Sequence, residues 1–129
     1  MPRYVSQEWL DRQRELQQAI RPRAGATARV QYRLTDAPGG GEILYAADVR
    51  DGRVASQRLG ADARAEVTMS SSYADSIAML RGELTPNTAF MAGRVKVTGD
   101  VSKISPLMPI TQSAEYRNHI AQLLAETEF

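Results

Sequence analysis

The side chains best suited to chemistry in this chain are one histidine and a run of serines. His119 is the only imidazole, and Ser70, Ser71 and Ser72 stand just before Asp75. Together they could supply a Ser-His-Asp triad, in which the imidazole takes the proton of the serine hydroxyl. The chain lacks the Gly-x-Ser-x-Gly turn that exposes such a serine, and helix capping explains the serines better. We therefore predict no catalytic residue and no enzymatic activity.

Three consecutive glycines, Gly39 to Gly41, could in principle form a phosphate cradle. Such a loop needs a strand before it and a helix after it, because the helix N-terminus meets the phosphate. A strand-like stretch, residues 42–50, follows these glycines instead. We interpret them as a hairpin loop.

Composition excludes several other classes of site. The 129 residues include 16 basic and 15 acidic side chains, so a net charge of +1 argues against a strongly basic nucleic-acid binder. Without cysteine and with one histidine, the chain offers no disulfide scaffold, no thiol nucleophile and no ordinary zinc site. We expect no metal and no cofactor. The N-terminal stretch is charged and no segment is apolar enough to span a membrane, so we expect a soluble, cytoplasmic, bacterial protein.

Hydrophobic periodicity predicts a single α+β domain spanning residues 1–129. Apolar residues recur at helical spacing in four stretches, which are residues 6–20, 72–81, 86–92 and 113–126. Apolar and polar residues alternate in five others, as in half-buried strands, at residues 27–35, 42–50, 53–59, 63–69 and 94–98. Ser6 and Ser72 stand at helix N-cap positions, and Asp51-Gly52 is a tight-turn signal. Short turns predict a mainly antiparallel five-stranded sheet, with helices on its apolar face.

The second half of the chain contains three short sequence blocks whose residues and order indicate a protein family. They are Glu66-Val-Thr-Met-Ser70, Leu80-Arg-Gly-Glu-Leu84 before Pro86, and Ala89-Phe-Met-Ala-Gly-Arg-Val-Lys-Val-Thr-Gly-Asp100. The last block combines a helix end, a glycine stop and a strand. On these residues the chain resembles the sterol carrier protein-2 family, most strongly over residues 65–104. The resemblance implies a hydrophobic tunnel between the sheet and the helices, which binds sterols, fatty acyl compounds or isoprenoid lipids.

The expected function is non-enzymatic binding or carriage of an apolar or amphipathic small molecule. The alternative is an accessory interaction module that supports a partner enzyme in lipid or quinone metabolism. From the resemblance and the soft apolar side chains of the second half, we expect ten residues to line the tunnel, although any one of them could simply fill the core. They are Met79, Leu80, Phe90, Met91, Val95, Val97, Ile104, Leu107, Met108 and Ile110.

The expected partners are an apolar small-molecule ligand, no nucleic acid, and a transient contact with a membrane surface or a lipid-processing enzyme. Six arginines lie between residues 12 and 33 in the arginine-rich N-terminal third, either as a solvated face or as a docking surface for anionic groups. They are Arg12, Arg14, Arg21, Arg23, Arg29 and Arg33. Pro106 and Pro109 interrupt the chain before the last helix. They suggest that ligand release involves a shift of that helix.

Overall fold

The computed structural model describes residues 1–129 and contains every predicted helix and strand, with one displaced strand. The helices are α1 (Gln7–Gln17), α2 (Tyr73–Leu80), α3 (Pro86–Met91), α4 (Met108–Thr111) and α5 (Ala114–Glu126). The strands are β1 (Ala28–Thr35), β2 (Ile43–Arg50), β3 (Arg53–Leu59), β4 (Val67–Ser72) and β5 (Lys96–Gly99). Strand β4 begins later than predicted and runs through the three serines. None of the helices is both long and apolar enough to cross a lipid bilayer.

The helix starts are fixed by the capping side chains that the sequence predicts. The Ser6 hydroxyl oxygen accepts a hydrogen bond from the backbone N–H of Trp9, and Ser72 does the same for Asp75. Each bond satisfies one of the backbone donors that a helix leaves free in its first turn. The tight turn is also confirmed, since both Asp51 and Gly52 have positive φ, as the turn between two antiparallel strands requires.

The sheet has the strand order β3-β2-β1-β4-β5. Pairing is antiparallel throughout except between β1 and β4, which are parallel. The sheet is thus mainly antiparallel, as predicted, but the short connection between β3 and β4 does not join an antiparallel pair. Residues 60–66 do not turn back but cross the polar face, where the Asp62 N–H donates to the Gln31 amide oxygen at 2.7 Å. The crossing brings Val67 beside Val30 in the core.

The sheet has one wet face and one buried face, as the alternation of residues predicts. On the wet face, the Arg29 guanidinium lies 3.0 Å from Asp62 and 3.4 Å from Asp48. On the other face, the register sets Val30 opposite Ala47 and Tyr32 opposite Tyr45. The helices pack against this apolar face.

Two groups of helices cover the apolar face. One is α1 with α5 and α2, joined by a cluster in which Trp9, Leu10, Leu80 and Leu123 are buried. The other is residues 101–112, which we call the cover segment. It consists of two 3₁₀ turns, Val101–Lys103 and Ser105–Leu107, followed by α4. Ile104 of this segment packs on Ala28, Val30 and Val67 of the sheet.

Candidate ligand-binding site

A cavity of about 160 Å³ lies between the apolar face of the sheet and the elements above it. Strands β1, β2 and β3 form its floor, while α1, the cover segment and α5 form its walls. Its twelve lining residues are Gln13, Gln17, Tyr32, Tyr45, Val49, Gly52, Val54, Gln57, Leu107, Ile110, Thr111 and Tyr116. The cavity thus occupies the space between sheet and helices where a ligand site was expected.

Two stacked tyrosines make up the centre of the floor. Tyr32 and Tyr45 are direct partners in the β1–β2 register, so their side chains leave the sheet side by side. Their ring centroids are 4.7 Å apart and the ring planes differ by 11°. Val49 and Val54 extend the floor toward the β2–β3 turn. The floor is therefore a rigid, mostly apolar surface.

Several polar side chains line the cavity without a partner inside the protein. Gln57 is 8% exposed, and its amide oxygen makes no hydrogen bond. The Gln13 amide oxygen is also buried and unpartnered. Buried acceptors are nearly always satisfied in folded proteins, because leaving one unsatisfied costs about 1–3 kcal/mol. These two oxygens therefore mark a polar end in an otherwise apolar cavity.

The three cavity tyrosines remain protonated and uncharged. Burial raises the pKa of Tyr32, Tyr45 and Tyr116 above the ordinary value for a phenol, and no hydrogen bond to a neighbouring group opposes this effect. Tyr4, which lies outside the cavity, differs because its hydroxyl has a hydrogen-bond partner. Burial raises its pKa to about 12, but its hydroxyl donates to the Ser76 hydroxyl at 2.7 Å. The cavity hydroxyls thus remain hydrogen-bond donors without an assigned acceptor.

The side chains considered for a catalytic triad do not meet. Both ring nitrogens of buried His119 lack a hydrogen-bond partner, and burial lowers its pKa to about 4. The Asp75 carboxylate binds the Arg94 guanidinium at 2.6 Å. The Ser72 hydroxyl caps α2. His119 is a neutral core residue next to Tyr116, whose ring centroid lies 5.7 Å away.

The sequence matches the family model of the SCP-2 sterol transfer family over residues 7–112. The chain belongs to this family. It is 30% identical over 89 residues to sterol carrier protein 2 of Gallus gallus, covering 69% of this chain and 16% of that protein. It is 31% identical over 70 residues to sterol carrier protein 2 of Homo sapiens, covering 54% of this chain and 13% of that protein. The chain therefore spans about one sixth of the chicken relative.

Solved structures share the SCP-2 fold. A conserved hypothetical protein of Thermus thermophilus has a TM-score of 0.72 and 18% identity, with 92% of this chain and 87% of that chain covered. A crystal structure of sterol carrier protein 2 has a TM-score of 0.66 and 14% identity, covering 97% and 99%. The sec-alkylsulfatase Pisa1 from Pseudomonas sp. has a TM-score of 0.51 and 24% identity, covering 70% of this chain and 14% of that chain. At these identities the likeness concerns the fold alone.

Within this SCP-2 domain, two of the ten residues expected to line a tunnel contact the cavity. Leu107 and Ile110 line it from the cover segment. Ile104 and Met108 of the same segment pack beside it, on the cluster around Val30. These four residues form one continuous apolar surface over the sheet.

The other six expected residues do not line the cavity, although Val97 also packs on the cluster around Val30. Leu80 joins the cluster of Trp9 and Leu123. Met79, Val95 and Val97 pack together around Leu84 and Ala89, between α2, α3 and β5. Phe90 and Met91, which are 49% and 78% exposed, lie at the end of α3 on the surface. Their roles in ligand binding remain predictions.

The polar lining of the cavity was missed by sequence reasoning. Gln13 and Gln17 are four residues apart on α1, so they share one face of the helix, and that face turns inward. Gln57 pairs with Ala47 and stands in the inward row of β3. The inward row could have been read from the strand alternation, but glutamine alone gives no signal for a cavity.

The N-terminal arginines are largely neutralised by acidic partners. Arg12 contacts Glu126 at 2.6 Å, Arg33 contacts Glu42 at 2.5 Å, and Arg29 is held between Asp48 and Asp62. Arg21 lies 3.7 Å from Glu115. This pairing favours the interpretation as a solvated face over the anionic docking surface.

Proposed function

We propose that this SCP-2 domain binds an apolar or amphipathic small molecule in the cavity and carries it without changing it chemically. The observation that supports the proposal is the cavity itself, which combines a floor of two stacked tyrosines with an unpartnered polar end. Burial supplies the binding free energy. At about 25 cal/mol per Å², roughly 200 Å² of buried apolar ligand surface contributes about 5 kcal/mol before ordering costs.

A whole lipid is larger than the cavity, so binding requires the cavity to widen. A cavity of about 150 Å³ holds one benzene ring, close to the 160 Å³ found here. The cover segment is the element that can move. The backbone hydrogen bonds that leave residues 101–112 reach only the adjoining chain, from the Lys103 N–H to the Asp100 carbonyl and from the Ser113 N–H to the Ile110 carbonyl. We propose that the ligand enters by displacing this segment.

The first experiment is mass spectrometry of lipids extracted from the purified protein, together with displacement of a neutral fluorescent lipid, such as a fluorescent fatty alcohol, by sterols and quinones. A near-stoichiometric apolar species, or saturable displacement, is the expected result. The variant Leu107→Trp fills the cavity from the cover segment and should abolish binding. Val101→Trp, at a valine of the cover segment that is 57% exposed and does not line the cavity, is the matched control and should bind normally. An empty protein that refuses every probe contradicts the proposal.

We also propose a transient membrane contact through Phe90 and Met91. Their exposed side chains are adjacent at the end of α3, where they are free to insert between lipids. The double variant Phe90→Ser/Met91→Ser should slow transfer of a fluorescent lipid between phosphatidylcholine vesicles severalfold while equilibrium binding is unchanged. Met1→Ser, another exposed apolar residue, is the control. Equal transfer rates for all three proteins would exclude this contact.

The alternative function is an accessory module that supports a partner enzyme. It draws support from the sec-alkylsulfatase, in which the same fold makes up a small part of a much longer chain. Under this alternative the cavity takes no ligand, and the domain forms a stoichiometric complex with a lipid-processing enzyme. If the protein binds the probes and Leu107→Trp abolishes this binding, the accessory role is excluded as the main function.

A further inference from the structure

We propose that the polar end of the cavity recognises a neutral, planar ring bearing a hydroxyl group, as in a phenol, in preference to a carboxylate. This inference rests on the proposed ligand binding and names the chemical class of its head group. It follows from the size of the cavity, the geometry of its floor, the unpartnered polar groups and the absence of charge in the lining.

Size and shape select a single flat ring. With the cover segment in place, the volume of about 160 Å³ holds one six-membered ring, so a head group of this size occupies the cavity while the chain of the ligand displaces the cover segment. The floor offers the parallel rings of Tyr32 and Tyr45, whose centroids are 4.7 Å apart. Aromatic rings favour offset-stacked or edge contacts with one another, beyond the gain from burial alone. Because Tyr32 and Tyr45 stack on each other, a ligand ring meets the edges of the pair, and such edge contacts favour an aromatic ring over a saturated ring of equal size.

The polar groups need a partner that both donates and accepts a hydrogen bond. The amide oxygen of Gln57, a residue with 8% exposure, is an acceptor without a donor. Tyr32 and Tyr116 line the same cavity and carry hydroxyls that donate. A hydroxyl on the ligand can donate to the amide oxygen and accept from a tyrosine at the same time. A hydrocarbon ring would leave both groups unsatisfied.

The lining disfavours a charged head group. None of the twelve lining residues is acidic or basic, so a buried carboxylate would find no cation to pair with. The same desolvation that raises the pKa of Tyr32 and Tyr116 opposes any negative charge on a ligand. A phenol remains neutral at pH 7, whereas a fatty or aromatic acid does not.

The test compares four probes of equal chain length, titrated calorimetrically at pH 7: 4-hexylphenol, 4-hexylbenzoate, hexylbenzene and 4-hexylcyclohexanol. We expect the phenol to bind more than about tenfold tighter than the benzoate, because the carboxylate lacks a cationic partner. The phenol should also bind several times tighter than hexylbenzene and hexylcyclohexanol. A benzoate that binds as tightly as the phenol, or a hexylbenzene that does so, overturns the inference.

Variants locate the preference at the polar end. Gln57→Leu and Tyr116→Phe remove one polar group each at nearly constant volume, and each should reduce the preference for phenol over hexylbenzene by about fivefold. Tyr4→Phe is the control, because its hydroxyl is bonded to Ser76 outside the cavity. An unchanged preference in both cavity variants, with melting temperatures near wild type, contradicts the inference.

The two proposals fail in different ways. If fluorescent lipids bind and Leu107→Trp blocks them, but the phenol shows no advantage, the head-group inference is wrong and the carrier function stands. If no apolar probe of any kind binds, the carrier function itself is wrong and the inference falls with it.

Discussion

Helix α5 and the cover segment both border the cavity, yet they are attached to the domain in different ways. The Trp9 indole N–H donates a hydrogen bond of 2.9 Å to the hydroxyl of Thr127, just beyond α5. The Arg12 guanidinium donates two hydrogen bonds to the Glu126 carboxylate. The cover segment is held by apolar packing, and its one ion pair with the rest of the domain joins Lys103 to Glu66 at 3.3 Å.

From this difference we infer that α5 contributes mainly to stability, whereas the cover segment serves ligand exchange. Elements with few long-range hydrogen bonds open at low free-energy cost, whereas elements in the main core open only with global unfolding. The sequence suggested that α5 swings about Pro106 and Pro109. In the structure these prolines lie inside the cover segment, and α5 packs against α1 in the buried cluster of Trp9, Leu10 and Leu123. We therefore expect the cover segment to open while α5 remains in place.

The largest expected effect comes from truncating a leucine in each region. Leu123→Ala removes a fully buried side chain of α5 and should lower the free energy of unfolding by about 3 to 4 kcal/mol. Leu107→Ala removes a half-buried side chain of the cover segment and should cost about 1 kcal/mol. Urea denaturation measures both. Equal losses would show that the two regions are equally coupled to the core.

Acid should weaken the α5 region selectively. Burial lowers the pKa of His119 to about 4, against about 6.5 in the unfolded chain. Between these values the unfolded state binds the extra proton, so stability is complete above pH 6.5 and falls as the pH decreases. We expect a loss of about 2 kcal/mol between pH 7 and pH 5.

A substitution isolates this contribution of His119. His119→Leu cannot titrate and should show a flat stability profile between pH 7 and pH 5. Arg12 lowers the pKa of Glu126 to about 2, so the stabilisation from Glu126 is complete above about pH 4.5, is lost only below that pH and leaves the profile between pH 7 and pH 5 unchanged. Denaturation curves of the wild type and of His119→Leu between pH 7 and pH 5 measure the contribution of His119 to the free energy of unfolding. A wild-type slope that persists in His119→Leu would mean that another group titrates.

Features that depend on neighbouring residues could be predicted from the sequence. The caps at Ser6 and Ser72 and the turn at Asp51-Gly52 are local, so their residue types determine them. The pairing of β4 could not be predicted, because nothing in residues 63–69 indicates that the Gln31 side chain accepts a hydrogen bond from the Asp62 N–H on the polar face of the sheet.

The site divides in the same way. The alternation of residues in β1 and β2 already set Tyr32 and Tyr45 on the inward face. Their stacking follows from the hairpin register. Gln13 and Gln57 come from elements far apart in the sequence, and their inward position depends on how α1 packs on β3. A glutamine on a helix or an edge strand is usually solvated, so periodicity favoured the wrong interpretation.

A smaller effect is expected where the β2–β3 turn meets the cover segment. Gly52 has a φ of +81°, and a methyl group there would lie 3.1 Å from both the Ile110 Cδ1 atom and the Arg23 backbone nitrogen. Gly52→Ala should cost about 1–2 kcal/mol from the left-handed backbone alone. It should also speed amide exchange in the cover segment by pushing on Ile110.

A second glycine separates these two causes. Gly25 has a φ of +83°, and a methyl group there would meet nothing within 4 Å, so Gly25→Ala carries the backbone cost without the contact. Hydrogen exchange followed by mass spectrometry should therefore show faster exchange of residues 104–112 in Gly52→Ala and not in Gly25→Ala. If both variants accelerate it equally, the turn does not act through Ile110.

The smallest expected effect is on the ion pair of the cover segment. Lys103 and Glu66 are both partly exposed, and exposed pairs contribute little and are screened by salt. Lys103→Gln should speed amide exchange of the cover segment by roughly threefold or less and leave α5 unchanged, because apolar packing supplies most of the attachment. Wild-type protein in about 1 M salt should behave like the variant. A much larger acceleration would mean that the ion pair, and not the packing of Ile104 and Ile110, holds the cavity closed.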